Sequence, residues 1–325
     1  MKFWYQQSWL QWLLLPFSWL FQLVTYLRRK AYQKGIFSSW KAPCTVVVVG
    51  NLSVGGNGKT PLVITLVQQL QQQDIRVGVI SRGYGGESNE YPFLVCASSD
   101  AKKVGDEPVL IAQRTSAPVA ISPDRRQSIE LLHKAYHPQV IISDDGLQHY
   151  KLQRDLELVV VDGERRFGNG LLLPAGPLRE LPKQRLTTVD AVICNGGTAQ
   201  DNEILMTLRS GEAVNLLTNE RRALTQFTQV NAIAGIGYPP RFFTGLERQG
   251  ITLLSSTAFP DHHAFQASDF SAFDQSDIPL LMTEKDAVKC RKFAQKHWWY
   301  VEVTAEIEKA QLENLIAKII AKVNK

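Results

Sequence analysis

A glycine-rich loop at residues 50–60 carries the clearest chemical signal in this sequence of 325 residues. It follows the β-branched run 45–49 and ends in Gly58, Lys59 and Thr60. A buried strand, a glycine turn and Gly-Lys-Thr at the start of a helix are typical of a loop whose backbone N–H groups bind nucleotide phosphates. We expect Lys59 to reach the β- and γ-phosphates and the Thr60 hydroxyl to ligate Mg²⁺. The predicted cradle consists of Ser53, Val54, Gly55, Gly56, Asn57, Gly58, Lys59 and Thr60.

Two details distinguish this loop from related phosphate loops. The strict pattern G-x-x-x-x-G-K-T would place glycine at position 53, where this sequence has Ser53. The loop also resembles the K-G-G-x-G-K-T loops of ATPases that position cell-division and partition machinery. Val54 stands in the place of their signature lysine, which argues against that relationship.

Phosphate chemistry also needs a carboxylate at the end of a neighbouring strand, to hold Mg²⁺ or its waters. Asp144 and Asp145 follow one predicted strand, and Asp162 follows the next. We prefer the pair, because it has two carboxylates and leads into a polar loop at the carboxyl edge of the sheet, where such sites form. For Asp162, a strand-end cap and a functional role are both open.

Three further segments carry polar groups suited to phosphoryl transfer. Asp106 opens an apolar helical stretch, so it is either a helix cap or a base that accepts a proton from an attacking hydroxyl. In the loop 173–180, Arg179 could contact a phosphate and Glu180 a hydroxyl or a metal-bound water. The segment 260–263 places two histidines beside a carboxylate. A zinc site would need a third ligand that the sequence does not indicate, so a histidine oriented by a carboxylate in a cleft is favoured.

The N-terminal region differs in charge and composition from the rest of the chain. The net charge is +5, yet residues 1–41 carry six basic and no acidic residues, which leaves 30 basic against 31 acidic residues elsewhere. Five of the seven tryptophans lie within the first 40 residues, as suits the headgroup level of a membrane. Polar residues interrupt the apolar span, so we expect residues 1–30 to form a membrane-embedded or interfacial helix. The alternative is a helix packed on the protein's own core.

The rest of the chain alternates Val- and Ile-rich strands with helical stretches. Strands are predicted at 45–49, 75–80, 118–121, 139–143, 158–161 and 191–194. This pattern indicates an α/β fold with a doubly wound parallel sheet of the P-loop NTPase type.

A polar and irregular stretch at 209–227 precedes a second, smaller α/β pattern. Its predicted elements are strands at 230–234, 251–254, 280–283 and 298–303 and a helix at 305–323. We therefore predict a phosphate-loop domain at 31–215 and a smaller domain at 216–325 that closes over the cleft. The charged segment 283–289 is either a solvated helix start or a phosphate-contacting edge.

Seven motifs, in order along the chain, resemble the tetraacyldisaccharide 4'-kinase family of lipid A synthesis. They are V-V-G-N-L-S-V-G-G-N-G-K-T-P, S-R-G-Y-G, G-D-E-P-V-L, D-D-G-L-Q-H, L-P-A-G-P-L-R-E, D-H-H and T-E-K-D-A-V-K. The resemblance implies transfer of the γ-phosphoryl group of ATP to the 4'-hydroxyl of tetraacyldisaccharide 1-phosphate. It also implies Mg²⁺ as cofactor and a place at the cytoplasmic face of the bacterial inner membrane. We expect the membrane surface as a partner, and neither nucleic acid nor an obligate protein partner.

The resemblance also implies roles for single residues. It assigns Lys59 and Thr60 to ATP and Mg²⁺, and the family is similar in using Ser or Thr at position 53. Asp106 resembles the family's catalytic base and His262 its partner; His262 is preferred to His263 because Asp-His is the steadier part of the motif. Asp144 and Asp145 would lie near Mg²⁺, and the positions that look acceptor- or cleft-lining are Tyr84, His149, Arg179 and Glu180.

Two other functions remain as alternatives. A membrane-bound regulatory ATPase would dimerise on ATP and hydrolyse it without any lipid acceptor. A soluble small-molecule kinase would keep its location without the N-terminal segment.

Overall fold

The structure is a computed structural model that describes residues 2–6, 8–273 and 277–323. The strands are β1 Thr45–Gly50, β2 Val77–Ser81, β3 Phe93–Val95, β4 Val119–Ile121, β5 Val140–Asp144, β6 Leu156–Asp162, β7 Ala191–Asn195, β8 Glu203–Asn215, β9 Arg221–Arg222, β10 Gln229–Ala234, β11 Thr252–Ala258, β12 Leu280–Thr283 and β13 Trp298–Ile307. The helices are α1 Trp9–Gln33, α2 Lys59–Gln71, α3 Ala101–Val104, α4 Asp106–Arg114, α5 Arg125–Tyr136, α6 Pro182–Arg185, α7 Pro239–Arg248, α8 Glu284–Cys290 and α9 Lys309–Val323.

One continuous sheet runs through both halves of the chain. Its strand order is β11-β10-β12-β13-β8-β7-β6-β1-β5-β2-β4-β3, with β9 paired to β8. The pairs are parallel except at β3–β4, β8–β9 and β8–β13. The predicted α/β class with a largely parallel sheet is thus confirmed.

Strand β1 lies in the middle of the first half, between β5 and β6. All six of its residues are buried, because its side chains alternate between two cores. Val47 and Val49 pack in the core that contains α2, and Val46 and Val48 pack in the core on the opposite face. This is why the run shows no polar alternation, and why the loop that follows it emerges at the carboxyl edge of the sheet.

The prediction of an irregular stretch at 209–227 is wrong for its first part. Strand β8 occupies residues 203–215 and pairs with β13 in antiparallel register from Asn215 opposite Trp299 to Met206 opposite Ile307. Most of β8 between 207 and 212 is partly or fully exposed, so charged residues such as Arg209 and Glu212 are tolerated on it. Strand β13 continues to Ile307, so the predicted helix at 305–323 begins later, at Lys309.

Helix α9 returns to the first half of the molecule. Leu315, Ile316 and Ile319 are buried in the same core as Val47 and Val49 of β1. The domain boundary near 215 stays a prediction, but α9 packs with the phosphate-loop half although it follows the smaller half in sequence.

Helix α1 lies on the surface and presents apolar side chains outward. Ser18 is its only buried residue. Ten of its large apolar residues are exposed, namely Trp9, Trp12, Leu13, Phe17, Trp19, Leu20, Leu23, Val24, Tyr26 and Leu27. Within the described residues it is the one helix with the length and hydropathy that a membrane span needs.

Candidate active site

The phosphate loop joins the end of β1 to the start of α2. Gly55 has a φ of 112°, and Gly58, the N-cap of α2, has a φ of 88°. Residues other than glycine rarely adopt such positive φ values. A Cβ atom at Gly58 would also lie 2.3 Å from Asn195 Nδ2. That amide donates to the Asn57 carbonyl at 2.9 Å. Glycine at position 58 is therefore required by both backbone geometry and space.

A second loop fixes the start of the phosphate loop. The Val54 N–H donates to the Pro177 carbonyl at 2.8 Å, and the Arg179 N–H donates to the Leu52 carbonyl at 2.7 Å. The buried Ser53 hydroxyl accepts a hydrogen bond from Asn57 Nδ2 at 3.0 Å. Serine at this position thus has a structural use within the loop, which accounts for the departure from the strict glycine pattern.

Lys59 and Arg179 both approach Asp145. Lys59 Nζ lies 3.5 Å from Asp145 Oδ1, and Arg179 Nη1 lies 3.2 and 3.3 Å from the two carboxylate oxygens. Burial raises the pKa of Asp145, but the two cations outweigh burial and hold it below its usual value. The three predicted residues therefore form one ionic cluster at the mouth of the loop.

Asp144, the last residue of β5, is fully buried, and neither carboxylate oxygen has a hydrogen-bond partner. Its pKa is raised to about 7, first by burial and then by the negative charges of Glu107 and Asp145, against the opposing effect of Lys59. A buried carboxylate with free oxygens is rare unless it has a partner such as a cation. The described residues contain no cluster of three or more His, Cys, Asp or Glu that could hold a metal ion. An ion here would need the Thr60 hydroxyl and phosphate oxygens as further ligands, which is how Mg²⁺ is commonly bound.

Asp106 lies at the start of a helix and also contacts a histidine from the second half of the chain. It is the first residue of α4 and is buried, and its Oδ1 accepts a hydrogen bond from the Glu107 N–H at 2.8 Å. Its two oxygens also lie 3.0 and 3.2 Å from His262 Nδ1. Burial raises the pKa of Asp106, but Lys285, His262 and Lys289 outweigh burial and lower it to about 2. The carboxylate is ionised at neutral pH.

His262 comes from the other half of the chain, 156 residues away from Asp106. It has φ of 61°, and its ring packs edge-on against Tyr84 with centroids 5.1 Å apart. Burial lowers its pKa, yet the bond to Asp106 raises it above its usual value overall. The neighbouring His263 bonds instead to Asp269 at 3.0 Å. Of the two histidines, only His262 contacts Asp106.

Helix α8 contributes two lysines that the sequence analysis did not single out. Thr283 caps the helix by accepting from the Asp286 N–H, so the segment is a helix start. It is not the solvated start that the sequence allowed, because Thr283, Glu284 and Asp286 are buried. A phosphate contact by this segment stays a prediction. Lys285 Nζ lies 3.1 Å from Glu107 Oε1, 3.3 Å from Asp261 Oδ1 and 3.4 Å from His262 Nε2. The high density of charged residues after a predicted strand was the signal in the sequence for these lysines. It could not identify their partners, because those residues are distant in sequence.

A cavity of about 1250 Å³ connects these groups to α1. Its wall includes the predicted residues Val54, Gly55, Gly56, Asn57, Gly58, Lys59, Thr60, Tyr84, Asp145, His149, Arg179, Glu180 and His262. Phe21, Thr25 and Arg28 of α1 also line it. Ser53, Asp106 and Asp144 are buried and are not part of the wall.

Glu180, one of the cleft-lining candidates, has three protein partners. It accepts from Gln148 Nε2 at 2.8 Å and from the Tyr150 hydroxyl at 2.7 Å, and it pairs with Arg185 at 3.2 Å. Glu180 therefore supports the wall of the cavity as well as lining it.

His149, another of these candidates, has a shifted pKa. Burial, with nearby arginines, lowers the pKa of His149 to about 4. His149 is therefore neutral at pH 7.

Asp162, at the end of β6, connects the loop that follows this strand to α7 through hydrogen bonds and ion pairs. Its Oδ1 accepts from the Glu164 and Arg165 N–H groups, and its Oδ2 pairs with Arg165 and with Arg241 of α7. Arg165 Nη2 also donates to the Gly56 carbonyl at 2.8 Å. The cap that the sequence allowed is present, and the same carboxylate links α7 to the phosphate loop.

Comparisons with known proteins agree with one another. The family model described as tetraacyldisaccharide-1-P 4'-kinase matches residues 10–321. The chain is 57% identical over 320 residues to the tetraacyldisaccharide 4'-kinase of Pasteurella multocida, covering 98% of each chain. It is 57% identical over 317 residues to that of Haemophilus influenzae, covering 97% of this chain and 95% of the relative. The crystal structure of LpxK from Aquifex aeolicus in complex with ATP matches with a TM-score of 0.79 at 30% identity, covering 97% of this chain and 99% of that one.

Proposed function

The chain belongs to the tetraacyldisaccharide-1-P 4'-kinase family, and from this premise we propose how its residues transfer the γ-phosphoryl group of ATP to the 4'-hydroxyl of the lipid A precursor. The protein is an ATP-dependent kinase of lipid A synthesis. The proposal concerns the roles of single residues, the use of Mg²⁺ and the place at the membrane.

One observation carries the proposal: a single cavity extends from the phosphate loop to α1. Its lining includes Lys59 and Thr60 of the phosphate loop, His262, and Phe21 and Arg28 of α1. A nucleotide at the loop and an acylated sugar beside an apolar helix would then meet within one cleft. A regulatory ATPase would have no use for an acceptor space of this kind.

Asp106 is the proposed base. Its ionised carboxylate would accept a hydrogen bond from the 4'-hydroxyl and orient it in line with the γ-phosphorus. A carboxylate of such low pKa takes the proton only as the new O–P bond forms, because the hydroxyl becomes strongly acidic at that stage. His262 would hold the carboxylate in position from the second half of the chain, with Tyr84 packed against its ring.

Lys59 and the loop amides would stabilise the charge on the transferring group. The Lys59 ammonium lies at the start of α2, where the helix N-terminus adds partial positive charge. Its contact with Asp145 keeps the side chain directed into the cleft. Arg179, on the other side of Asp145, could contact a phosphate of either substrate.

The residues around Asp144 fit a bound Mg²⁺. Thr60, Asp144 and Asp145 would hold the ion, since Asp144 has two buried oxygens without partners. Bound there, it would neutralise charge on the β- and γ-phosphates.

Helix α1 would associate with the cytoplasmic face of the inner membrane. Its exposed tryptophans and leucines are suited to the interfacial region, and Arg28, Arg29 and Lys30 follow them. Such a cluster attracts anionic lipid headgroups and retains the rest of the chain on the cytoplasmic side. Flotation with anionic vesicles should therefore retain the full chain and lose a chain without residues 1–30.

The test of function uses purified protein with ATP, Mg²⁺ and tetraacyldisaccharide 1-phosphate. A bis-phosphorylated lipid is expected, and Asp106→Asn should reduce its rate by about a hundredfold or more, the scale of positioned proton transfer. Glu130→Gln is the matched control, since it makes the same change in an exposed pair with Arg126. Near-normal turnover by Asp106→Asn would remove the proposed base. Lipid-independent hydrolysis with ATP-driven dimerisation would instead support the regulatory ATPase.

A further inference from the structure

A second lysine of α8, Lys289, lies beside Asp106 and has a buried ammonium group. Lys289 Nζ is 3.6 Å from Asp106 Oδ2 and 2.9 Å from Asp286 Oδ1. Only 10% of the Lys289 side chain is exposed, and the Phe265 ring lies 4.9 Å from its ammonium group. Burying an ammonium group is costly unless charges compensate it, so the two carboxylates account for its presence.

Asp286 is held rigidly at the base of this arrangement. It is fully buried, and its Oδ2 accepts from the Thr283 hydroxyl at 2.6 Å and from the Gly235 N–H at 2.9 Å. Its second oxygen faces Lys289. Because Asp286 accepts these hydrogen bonds from the last residue of β12 and from the residue that follows β10, it can act as a fixed anchor for the lysine.

Lys289 has a second carboxylate partner in addition to the one on its own helix. Asp286, three residues before it on α8, would be sufficient for a structural ion pair. Lys289 instead lies between two buried carboxylates, and the second belongs to α4, in the other half of the chain.

The charged groups around Asp106 come from three elements. From α4 comes Glu107, from the loop after β11 come Asp261 and His262, and from α8 come Lys285 and Lys289. Lys285 pairs with Glu107 and Asp261, and its charge lowers the pKa of Asp106 more than that of Lys289 does. Among the described residues, however, Lys289 is the lysine that forms an ion pair with the Asp106 carboxylate itself, at 3.6 Å.

We propose that Lys289 is a positioning residue that keeps the Asp106 carboxylate oriented toward the acceptor hydroxyl, and that Asp286 holds Lys289 there. This inference rests on the proposed role of Asp106 as the base. The pKa of Asp106 is about 2, so its carboxylate remains ionised at neutral pH without Lys289, and loss of the ammonium group should act on the orientation of the base.

The test compares Lys289→Met, which keeps the apolar stem without the charge, with Lys289→Arg, which keeps the charge. Rates of lipid phosphorylation are measured at neutral pH, first with varied ATP and then with varied lipid acceptor, so that kcat and both KM values are obtained. In Lys289→Met kcat should fall by about tenfold or more, because a misplaced base slows the chemical step, while KM for ATP stays unchanged. Lys289→Arg should recover most of the wild-type kcat.

Lys292→Met is the matched control, because Lys292 is exposed and pairs with Asp100 far from the site. It should change neither kcat nor KM. A Lys289→Met enzyme with the wild-type kcat, or a loss of kcat that Lys289→Arg does not recover, would overturn the inference. If Lys289→Met melts too early to assay, Lys289→Gln retains a polar contact with Asp286 without the charge and must show the same loss of kcat.

Asp106→Asn in the same series separates the two proposals. If it abolishes turnover while Lys289→Met keeps the wild-type kcat, only the role of Lys289 fails. If Asp106→Asn keeps its activity, the proposed base fails, and a loss of kcat in Lys289→Met would then act through another group.

Discussion

Replacing Gly237 by alanine should disrupt the contact between the two halves at the phosphate loop. Gly237 follows β10, and a Cβ atom there would lie 2.4 Å from Gly56 N, 3.0 Å from Gly56 Cα and 3.2 Å from Asp261 Oδ2. Ordinary contact begins at 3.4 Å, so the loops must separate by about 1 Å. Both nearest atoms are backbone, so no side chain can rotate away to relieve the clash.

The separation should appear as a loss of rate. A displacement of about 1 Å in a catalytic arrangement can cost about a hundredfold, equivalent to about 2.7 kcal/mol in the barrier. The loss should be in kcat, because the phosphate loop itself is intact while Asp261 and His262 lie on the displaced side. Steady-state kinetics with the lipid acceptor measures it directly.

Gly211→Ala is the control for this experiment. Gly211 lies on β8 and outside the cavity lining, and the nearest atoms to a Cβ there, Glu302 Cβ and O, would be at an ordinary contact distance of 3.6 Å. Alanine in a strand is favoured over glycine by about 0.5–1 kcal/mol, so this variant should keep its kcat and melt at the same or a higher temperature. A Gly237→Ala enzyme with wild-type kcat would refute the reasoning that this contact aligns the site.

Three other outcomes are expected. Lys59→Ala should lower single-turnover phosphoryl transfer by more than about a hundredfold, since it removes a cation from the transferring group; a smaller loss would argue against that contact. His262→Gln should lower the free energy of unfolding, measured in urea titrations, most strongly near pH 5.5. The pKa of His262 is raised on folding, so its stabilisation is present below the unfolded pKa of about 6.5 and is lost as pH rises through the folded pKa. A difference in unfolding free energy between wild type and variant that widens with pH would contradict this. Ser18→Ala should weaken the docking of α1 by about 1–3 kcal/mol, because its hydroxyl donates to the Leu172 carbonyl and accepts from the Ala175 N–H; hydrogen exchange in α1 should rise in it but not in Thr25→Val, whose hydroxyl bonds only within the helix.

The phosphate loop and the strands of the first half were predictable because their signals are local. The run 45–49 is buried on both faces, and the glycines at 55 and 58 need positive φ, so composition and spacing reflect the structure directly. Strand β8 was missed because it is exposed along much of its length and gains its pairing from β13, about 90 residues later. Polar composition in such a strand reflects solvent exposure rather than irregular backbone.

The candidate site was predictable only in part, because its decisive contacts are distant in sequence. The sequence left Asp106 between a cap and a base; the structure joins it to both the Glu107 N–H and His262. No local pattern indicates that Lys289 pairs across to α4. The sequence predicted that Glu180 lines the cleft. Its ion pair with Arg185 and the hydrogen bond that it accepts from the Tyr150 hydroxyl are evident only from the structure.

The return of α9 to the first core has a consequence for how the protein is made. Leu315, Ile316 and Ile319 are almost completely buried there, and each such side chain contributes about 1.5–3 kcal/mol, which together approaches the whole stability of an ordinary domain. During translation the phosphate-loop half emerges first, yet it lacks these side chains until nearly all of the smaller half has been synthesised. A ribosome stalled shortly before residue 309 should therefore carry a nucleotide half that is sensitive to protease, and release of α9 should make it resistant.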